Sequence, residues 1–193
     1  MGVRVLAFAG STREGSFNKK LLGLAVAAAR DAGAEVTLVE LKELALPLYD
    51  GDLEAQDGLP ARAKGFKRMM IEHDALLIAS PEYNSGISGV LKNAIDWASR
   101  PEPNEISLVA FKEKVAAIMS ASPGALGGLR GLFALRQVLA NINVLVLPDQ
   151  LALSKANEAF DAAGNLRDEK QRERVREISS RLVDVAAKLQ RAK

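Results

Sequence analysis

Short apolar runs alternate with longer stretches of helical periodicity along the whole chain. Continuous apolar runs of strand length, rich in branched or aromatic residues, are typical of strands buried on both faces. Five such runs predict strands at Val3–Ala9, Val36–Leu41, Ala75–Ser80, Lys114–Ser120 and Val144–Leu147. Five helices are predicted at Leu21–Ala32, Ala61–His73, Gly89–Ser99, Leu129–Ile142 and Arg167–Lys193. Prolines, glycines and clustered polar residues predict long loops at Leu44–Pro60 and Ser154–Leu166.

This order of strands and helices predicts one α/β domain spanning residues 1–193. Strands separated by helices pair in parallel through right-handed crossovers, and the helices cover both faces of the sheet. In such a sheet, ligands bind beyond the carboxyl ends of the strands. The loops in which function is expected therefore begin near Gly10, Leu41, Pro81, Ala121 and Pro148.

Composition narrows the chemistry that this domain can carry. The 193 residues include no cysteine and a single histidine, His73. Disulfide frameworks, thiolate metal sites and cysteine nucleophiles are therefore excluded, and we expect no metal centre. The formal net charge of +2 is too small for a general nucleic-acid binder, and no apolar run is long enough to span a membrane. We expect a cytoplasmic protein with neither nucleic-acid nor membrane partners.

The first of these loops, residues 10–18, has the composition of an anion site. It precedes a predicted helix and carries one arginine and three hydroxyl side chains, Ser11, Thr12 and Ser16. Free amides and the positive dipole end of a helix attract anions, and Arg13 adds a charge-assisted donor. Ordinary helix capping by Ser16 or Asn18 would need one such residue. The density of donors favours a bound phosphate.

The same loop does not match the common nucleotide fingerprints. Gly10 and Gly15 have the spacing of a Walker loop, but Ser16 and Phe17 replace its lysine and its magnesium-binding hydroxyl residue. The dinucleotide fingerprint also fails, because Thr12 stands where its second glycine is required. A terminal phosphate monoester fits best.

The loop after the third predicted strand, residues 80–89, supplies a different kind of surface. Its proline, asparagine and two glycines favour a non-repetitive backbone, so several amides and carbonyls need partners outside a sheet. The edge of a planar heteroaromatic ring is such a partner. Together, the two loops suggest binding sites for the two ends of one ligand, a phosphate and a ring.

At this point the chain resembles a known family, the NAD(P)H-dependent FMN reductases, which include chromate, quinone and azo-dye reducing members. The resemblance is carried by GSTREGSFN at residues 10–18 and PEYNSGISGVLKNAIDWASR at residues 81–100. It implies a flavodoxin-like three-layer sandwich whose five-stranded parallel sheet has the order 2-1-3-4-5. It also implies a noncovalently bound FMN.

The resemblance also assigns the contacts of that FMN. Its phosphate would be held by Ser11, Arg13, Ser16, Phe17 and Asn18, and its ring edge by Pro81, Glu82, Tyr83 and Asn84. A third loop, residues 120–128, would contact the flavin through Ser120. The chain departs from the family at Ser88-Gly89, where Pro-Gly is usual. We expect this change to make the loop less rigid.

The implied activity is transfer of hydride from NADPH or NADH to the flavin, followed by electron transfer to a small acceptor. That acceptor would be a free flavin, a quinone, chromate or an azo compound. No catalytic side chain is required, and we expect His73 to cap a helix at the opposite edge of the sheet. Apolar residues on two sides of the helix Gly89–Ser99, with Trp97 on the second, suggest a homodimer or homotetramer.

Two alternatives remain open at this stage. One is a flavodoxin-type electron carrier, and the other is a non-catalytic FMN-binding module. A carrier is expected to have aromatic residues over the flavin and an acidic docking surface. The low aromatic content, 5%, and the positive net charge disfavour it.

Overall fold

The computed structural model describes residues 2–191 and contains a single parallel sheet of five strands. The strands are β1 (Arg4–Ala9), β2 (Glu35–Val39), β3 (Ala75–Ala79), β4 (Val115–Ala121) and β5 (Leu145–Leu153). Their order in the sheet is β2-β1-β3-β4-β5. Val5 of β1 lies opposite Val36 on one side and Ala75 on the other. The predicted strand order is therefore confirmed.

Helices cover both faces of this sheet. They are α1 (Phe17–Asp31), α2 (Leu41–Leu44), α3 (Gly51–Asp57), α4 (Ala61–Glu72), α5 (Gly89–Ala98), α6 (Leu129–Asn141), α7 (Ala156–Ala159) and α8 (Glu169–Arg191). Alternate residues of each buried strand point to opposite faces. One face packs against α1 and α8, and the other packs against α4, α5 and α6. The three-layer sandwich is confirmed as well.

The segment 44–60, predicted as a surface loop, is partly helical and covers α5. It contains α3 and follows α2, two helices too short to show a clear period in the sequence. Pro47 accepts a hydrogen bond from Trp97 Nε1 at 2.8 Å, and the Tyr49 amide donates to the side-chain oxygen of Asn93 at 2.8 Å. Trp97 is fully buried in this way. Burial on the second side of α5 therefore comes from the same chain and is no evidence for a subunit contact.

Strand β5 is longer than predicted because it passes through a proline. The register between β4 and β5 shifts, so that three residues, Leu147, Pro148 and Asp149, lie opposite Ala117 alone. A proline in such a bulge on an edge strand costs no ladder hydrogen bond. The loop that follows begins at Ser154 rather than near Pro148. Within the predicted loop 154–166 lies the short helix α7.

The terminal helix α8 agrees with its predicted amphipathic pattern, with Val175, Ile178 and Leu182 buried. Its predicted end at Lys193 lies outside the described residues. Across residues 2–191, every helix is too short or too polar to cross a membrane.

Candidate functional site

Three loops meet at the carboxyl edge of the sheet and enclose two adjoining hollows. They follow β1, β3 and β4, and are called the first loop (residues 10–16), second loop (80–88) and third loop (122–128). The inner hollow is lined by Ser11, Arg13, Ser16, Phe17, Asn18, Pro81, Glu82, Tyr83, Ala121, Ser122 and Pro123. The outer hollow, of about 370 Å³, shares Glu82 and Ser122 and adds Asn84, Ser85, Arg130 and the glycine-rich part of the third loop.

The structure brings most of the predicted site residues together. Eight of the ten line the inner hollow, and Asn84 lines the outer one. These residues come from segments about seventy positions apart in the chain. They meet because β1 and β3 are neighbours in the sheet.

The inner hollow contains the N-terminus of α1, which has the donor groups of an anion site. Ser16 is the N-cap of α1, and its hydroxyl accepts a hydrogen bond from the Lys19 amide at 3.4 Å. The first-turn amides of Phe17 and Asn18 have no intrahelical acceptor and are available to a ligand. Ser11 is buried at the wall, whereas Arg13 is exposed at the mouth. Two amides, hydroxyl groups and a guanidinium are a donor set that fits a phosphate monoester.

Asn18 contributes to this hollow differently from its predicted role. Its side-chain amide donates to Ala121 O and accepts from Ala121 N, both at 2.9 Å. The side chain thus connects the start of α1 to the end of β4, and only the main-chain N–H of Asn18 remains for an anion. No local sequence signal indicates this pairing, because the two residues are 103 positions apart.

The second loop is shaped by a tight turn at its tip. Tyr83 and Gly86 exchange two main-chain hydrogen bonds of 3.0 Å. The residues between them, Asn84 and Ser85, have φ values of 50° and 65°. Two successive positive φ values define a type I′ turn, which side chains other than Gly and Asn seldom adopt. Backbone strain of this kind concentrates at functional sites.

Glu82 attaches the second loop to the beginning of α6. Its carboxylate accepts from Arg130 Nε at 2.7 Å and from the main-chain amides of Arg130 and Gly131 at 3.0 and 3.2 Å. Burial raises the pKa of Glu82, but the hydrogen bonds from Arg130 and Gly131 outweigh it and hold the pKa below its usual value. The carboxylate thus fills the anion position at the α6 terminus. Because the main-chain groups of Tyr83 are bonded to Gly86, those of Glu82 and Asn84 are the ones left for a ligand at the hollow.

Ser88 connects the second loop to the first. Its hydroxyl donates to Gly10 O at 2.6 Å and accepts from the Leu91 amide at 3.3 Å as the N-cap of α5. This loop was expected to be loosened by serine at position 88. The hydroxyl supplies two buried hydrogen bonds that a proline would lack, and the expected loss of rigidity stays a prediction. Three side chains thus join the elements around the hollows: Ser88 connects the second loop to the first, Asn18 connects the start of α1 to the end of β4, and Glu82 connects the second loop to the start of α6.

Ser120 differs from the other predicted residues in lining neither hollow. It is fully buried, and a Cβ added to Gly128 would lie 1.9 Å from its hydroxyl oxygen. Strand β4 ends at Ala121, one residue later than predicted, so Ser120 lies in the strand and Ser122 begins the loop. Ser122 lines both hollows. A flavin contact of Ser120 stays a prediction.

The histidine lies where its helix-capping role was expected. His73 is the C-cap residue of α4, directly before β3 and at the amino edge of the sheet. Its ring nitrogens lie 2.6 Å from Met69 O and 2.8 Å from the hydroxyl oxygen of Thr37. It is therefore separated from the hollows by the length of the sheet.

Comparisons with known proteins agree with this architecture. A family model described as NADPH-dependent FMN reductase matches residues 3–158. An NAD(P)H-dependent FMN reductase of Pseudomonas aeruginosa is 40% identical over 176 residues, which cover 91% of this chain and 90% of that protein. An NAD(P)H:quinone oxidoreductase of Solanum tuberosum is 38% identical over 192 residues, covering 97% and 94%.

The fold is also similar to that of a solved structure. FerB of Paracoccus denitrificans, described as a flavoenzyme NAD(P)H:(acceptor) oxidoreductase, superimposes with a TM-score of 0.82. The match has 30% sequence identity and covers 96% of this chain and 98% of FerB.

Proposed function

The chain belongs to the NADPH-dependent FMN reductase family, and from this membership we propose that it is an FMN-dependent oxidoreductase. It would take hydride from NADPH or NADH and pass electrons to a small acceptor. The observation that carries the proposal is the inner hollow. There, one cavity is lined both by the helix terminus for which the sequence predicts a phosphate and by the loop for which it predicts a ring edge.

The first loop and the start of α1 would hold the phosphate of FMN. The free amides of Phe17 and Asn18 donate directly, and the Ser11 and Ser16 hydroxyls lie on the same wall. Arg13 supplies the positive charge. It forms no ion pair with another described residue, so its guanidinium is free to pair with a phosphate.

The second loop would hold the ring. Pro81 is buried, and the turn after Glu82 is fixed by hydrogen bonds at both ends, so the main chain of residues 81–84 is rigid. When bound, FMN supplies the redox chemistry by accepting hydride and releasing electrons. The chain's own residues bind and orient, and none is required to transfer a proton.

The outer hollow is the proposed position of the reductant and the acceptor. It adjoins the inner hollow through Glu82 and Ser122, and its wall of glycines leaves it open. Arg130 and the polar side chains of Asn84 and Ser85 stand at its rim. A free flavin, a quinone, chromate or an azo compound remains the proposed acceptor class, and the quinone oxidoreductase relatives support a quinone.

A homodimer or homotetramer in the cytoplasm is part of this proposal. Two exposed large apolar side chains support an oligomer, Leu48 at 81% exposure and Ile106 at 58%. Leu48 lies between Pro47 and Tyr49, both of which bond to α5, and Ile106 lies in the segment that follows α5 in the chain. A subunit contact over these side chains would remove their apolar area from water.

Anaerobic reduction of the reconstituted protein tests the function. The purified chain, loaded with FMN and freed of excess flavin, is mixed with NADPH or NADH, and then with a quinone. We expect the flavin absorbance to bleach and then to return. A protein that retains FMN but stays oxidised with both nicotinamides would instead be an electron carrier. A protein that binds no FMN would contradict the proposal altogether.

A further inference from the structure

The hydroxyl of Ser88 is the direct link between the two loops that would hold opposite ends of the flavin. Ser88 is 2% exposed, and its hydroxyl lies 2.6 Å from Gly10 O. The same oxygen caps α5 by accepting from the Leu91 amide at 3.3 Å. One side chain therefore connects the start of the first loop to the end of the second.

Gly10 is packed closely at this junction. Its amide donates to Ala79 O at 2.9 Å, which continues the β1–β3 ladder. A Cβ on Gly10 would lie 3.1 Å from both Leu91 Cδ2 and Ser80 Oγ. Beyond Gly10 the chain turns towards the anion site. The Gly10 amide is thus the last group that ties the first loop to the neighbouring strand, and the Gly10 carbonyl ties it to the second loop through Ser88.

We propose that Ser88 is a positioning residue that fixes the spacing between the first and second loops and thereby favours FMN over riboflavin. This inference rests on the proposed function. A ligand that both loops must hold binds more tightly when the spacing of the loops is fixed before binding, because binding then costs less conformational entropy of the loops. Riboflavin lacks the phosphate, so it needs only the second loop and gains little from that spacing.

Ser88 is the link best suited to isolate this effect. Asn18 and Glu82, which make the other two links, both line the inner hollow. Their replacement would change positioning and ligand contact together. Ser88 lines neither hollow, so a change in flavin affinity at this position reports on positioning.

The experiment compares dissociation constants of FMN and riboflavin for the flavin-free protein, measured by flavin fluorescence. Ser88→Ala removes both hydroxyl bonds, and Ser88→Thr keeps the hydroxyl. Ser99→Ala is the matched control, because it deletes a serine hydroxyl from the other end of α5 that bonds only to Asp96 O and Arg100. Thermal unfolding of each variant is recorded alongside.

We expect Ser88→Ala to raise the dissociation constant of FMN about five- to tenfold, because FMN would then have to order the two loops that the Ser88 hydroxyl otherwise holds together. The constant for riboflavin should stay close to that of the wild type, and Ser88→Thr and Ser99→Ala should keep the wild-type ratio of the two constants. If Ser88→Ala does not fold, Ser88→Gly replaces it, since glycine costs little at an N-cap.

Equal weakening of FMN and riboflavin, or no weakening, would overturn the role of Ser88 while leaving the proposed function intact. A wild-type protein that binds neither flavin would overturn the proposed function and this inference with it. The ratio of the riboflavin constant to the FMN constant should fall in Ser88→Ala and return in Ser88→Thr. That result supports the positioning role, because a loss of stability by itself would not discriminate between the two flavins.

Discussion

The side-chain amide of Asn18 forms two 2.9 Å hydrogen bonds with the main chain of Ala121, joining the first turn of α1 to the last residue of β4. Both residues are buried. A carbonyl and an amide of the sheet edge are thereby satisfied by a side chain rather than by water. The relative position of the first and third loops depends on this pair.

Replacement of Asn18 by alanine should therefore destabilise the protein. Ala121 N and O would lose their partners in a buried place, and we expect a loss of about 2–4 kcal/mol in the free energy of unfolding, measured by urea denaturation. Asn18→Asp keeps the acceptor for Ala121 N but places a carboxylate against Ala121 O. It should be at least as destabilising as alanine. An alanine variant of wild-type stability would contradict the structural role.

The Glu82 carboxylate should make stability depend on pH. Its pKa is held below its usual value in the folded protein, so its stabilising effect is present above the unfolded pKa of about 4.3 and is lost as pH falls through the lower folded value. We expect Glu82→Gln to be less stable than the wild type at neutral pH and to lose less stability on acidification. Urea unfolding at a series of pH values measures this. Parallel pH curves for the two proteins would contradict the effect.

Replacement of His73 should leave flavin reduction unchanged. The residue lies at the amino edge of the sheet and bonds to Met69 O and Thr37. General acid–base catalysis contributes about 10²–10⁴-fold, so a catalytic histidine would be evident at once. Stopped-flow bleaching by NADPH in His73→Gln provides the measurement. A hundredfold slowing in a folded, FMN-loaded variant would show that a proton transfer has been overlooked.

Two exposed apolar side chains, Leu48 and Ile106, should govern the oligomeric state. Glutamate at both positions would place charge in any subunit contact that they make. We expect the wild type to sediment as a dimer or tetramer at micromolar concentration and the double variant Leu48→Glu, Ile106→Glu to sediment as a smaller species. A monomeric wild type with full activity would contradict the oligomer.

Much of this architecture is readable in the sequence, for a physical reason. Strands buried on both faces appear as continuous apolar runs, and helices between them leave only parallel pairing. The donor groups of the candidate anion site are equally readable, because Ser16, Phe17 and Asn18 are contiguous at the start of one helix.

The remainder depends on contacts between distant positions. The Asn18–Ala121 and Glu82–Arg130 pairs span 103 and 48 positions, and each side chain alone resembles an ordinary turn or capping residue. The cover on Trp97 comes from α3, from the chain on either side of it and from Ala63 of α4, and α3 is too short to show a period. The extension of β5 past Pro148 required a bulge that only the partner strand reveals.

Flavin binding to Arg13→Ala shows whether the phosphate of FMN lies at the start of α1 beside Arg13, as proposed. A lost charge-assisted hydrogen bond to a phosphate corresponds to about 10- to 100-fold in affinity. Titration of the flavin-free wild type and variant with FMN and with riboflavin should show this loss for FMN and none for riboflavin. Unchanged FMN affinity, or an equal loss of affinity for both flavins, would contradict the proposed position of the phosphate beside Arg13.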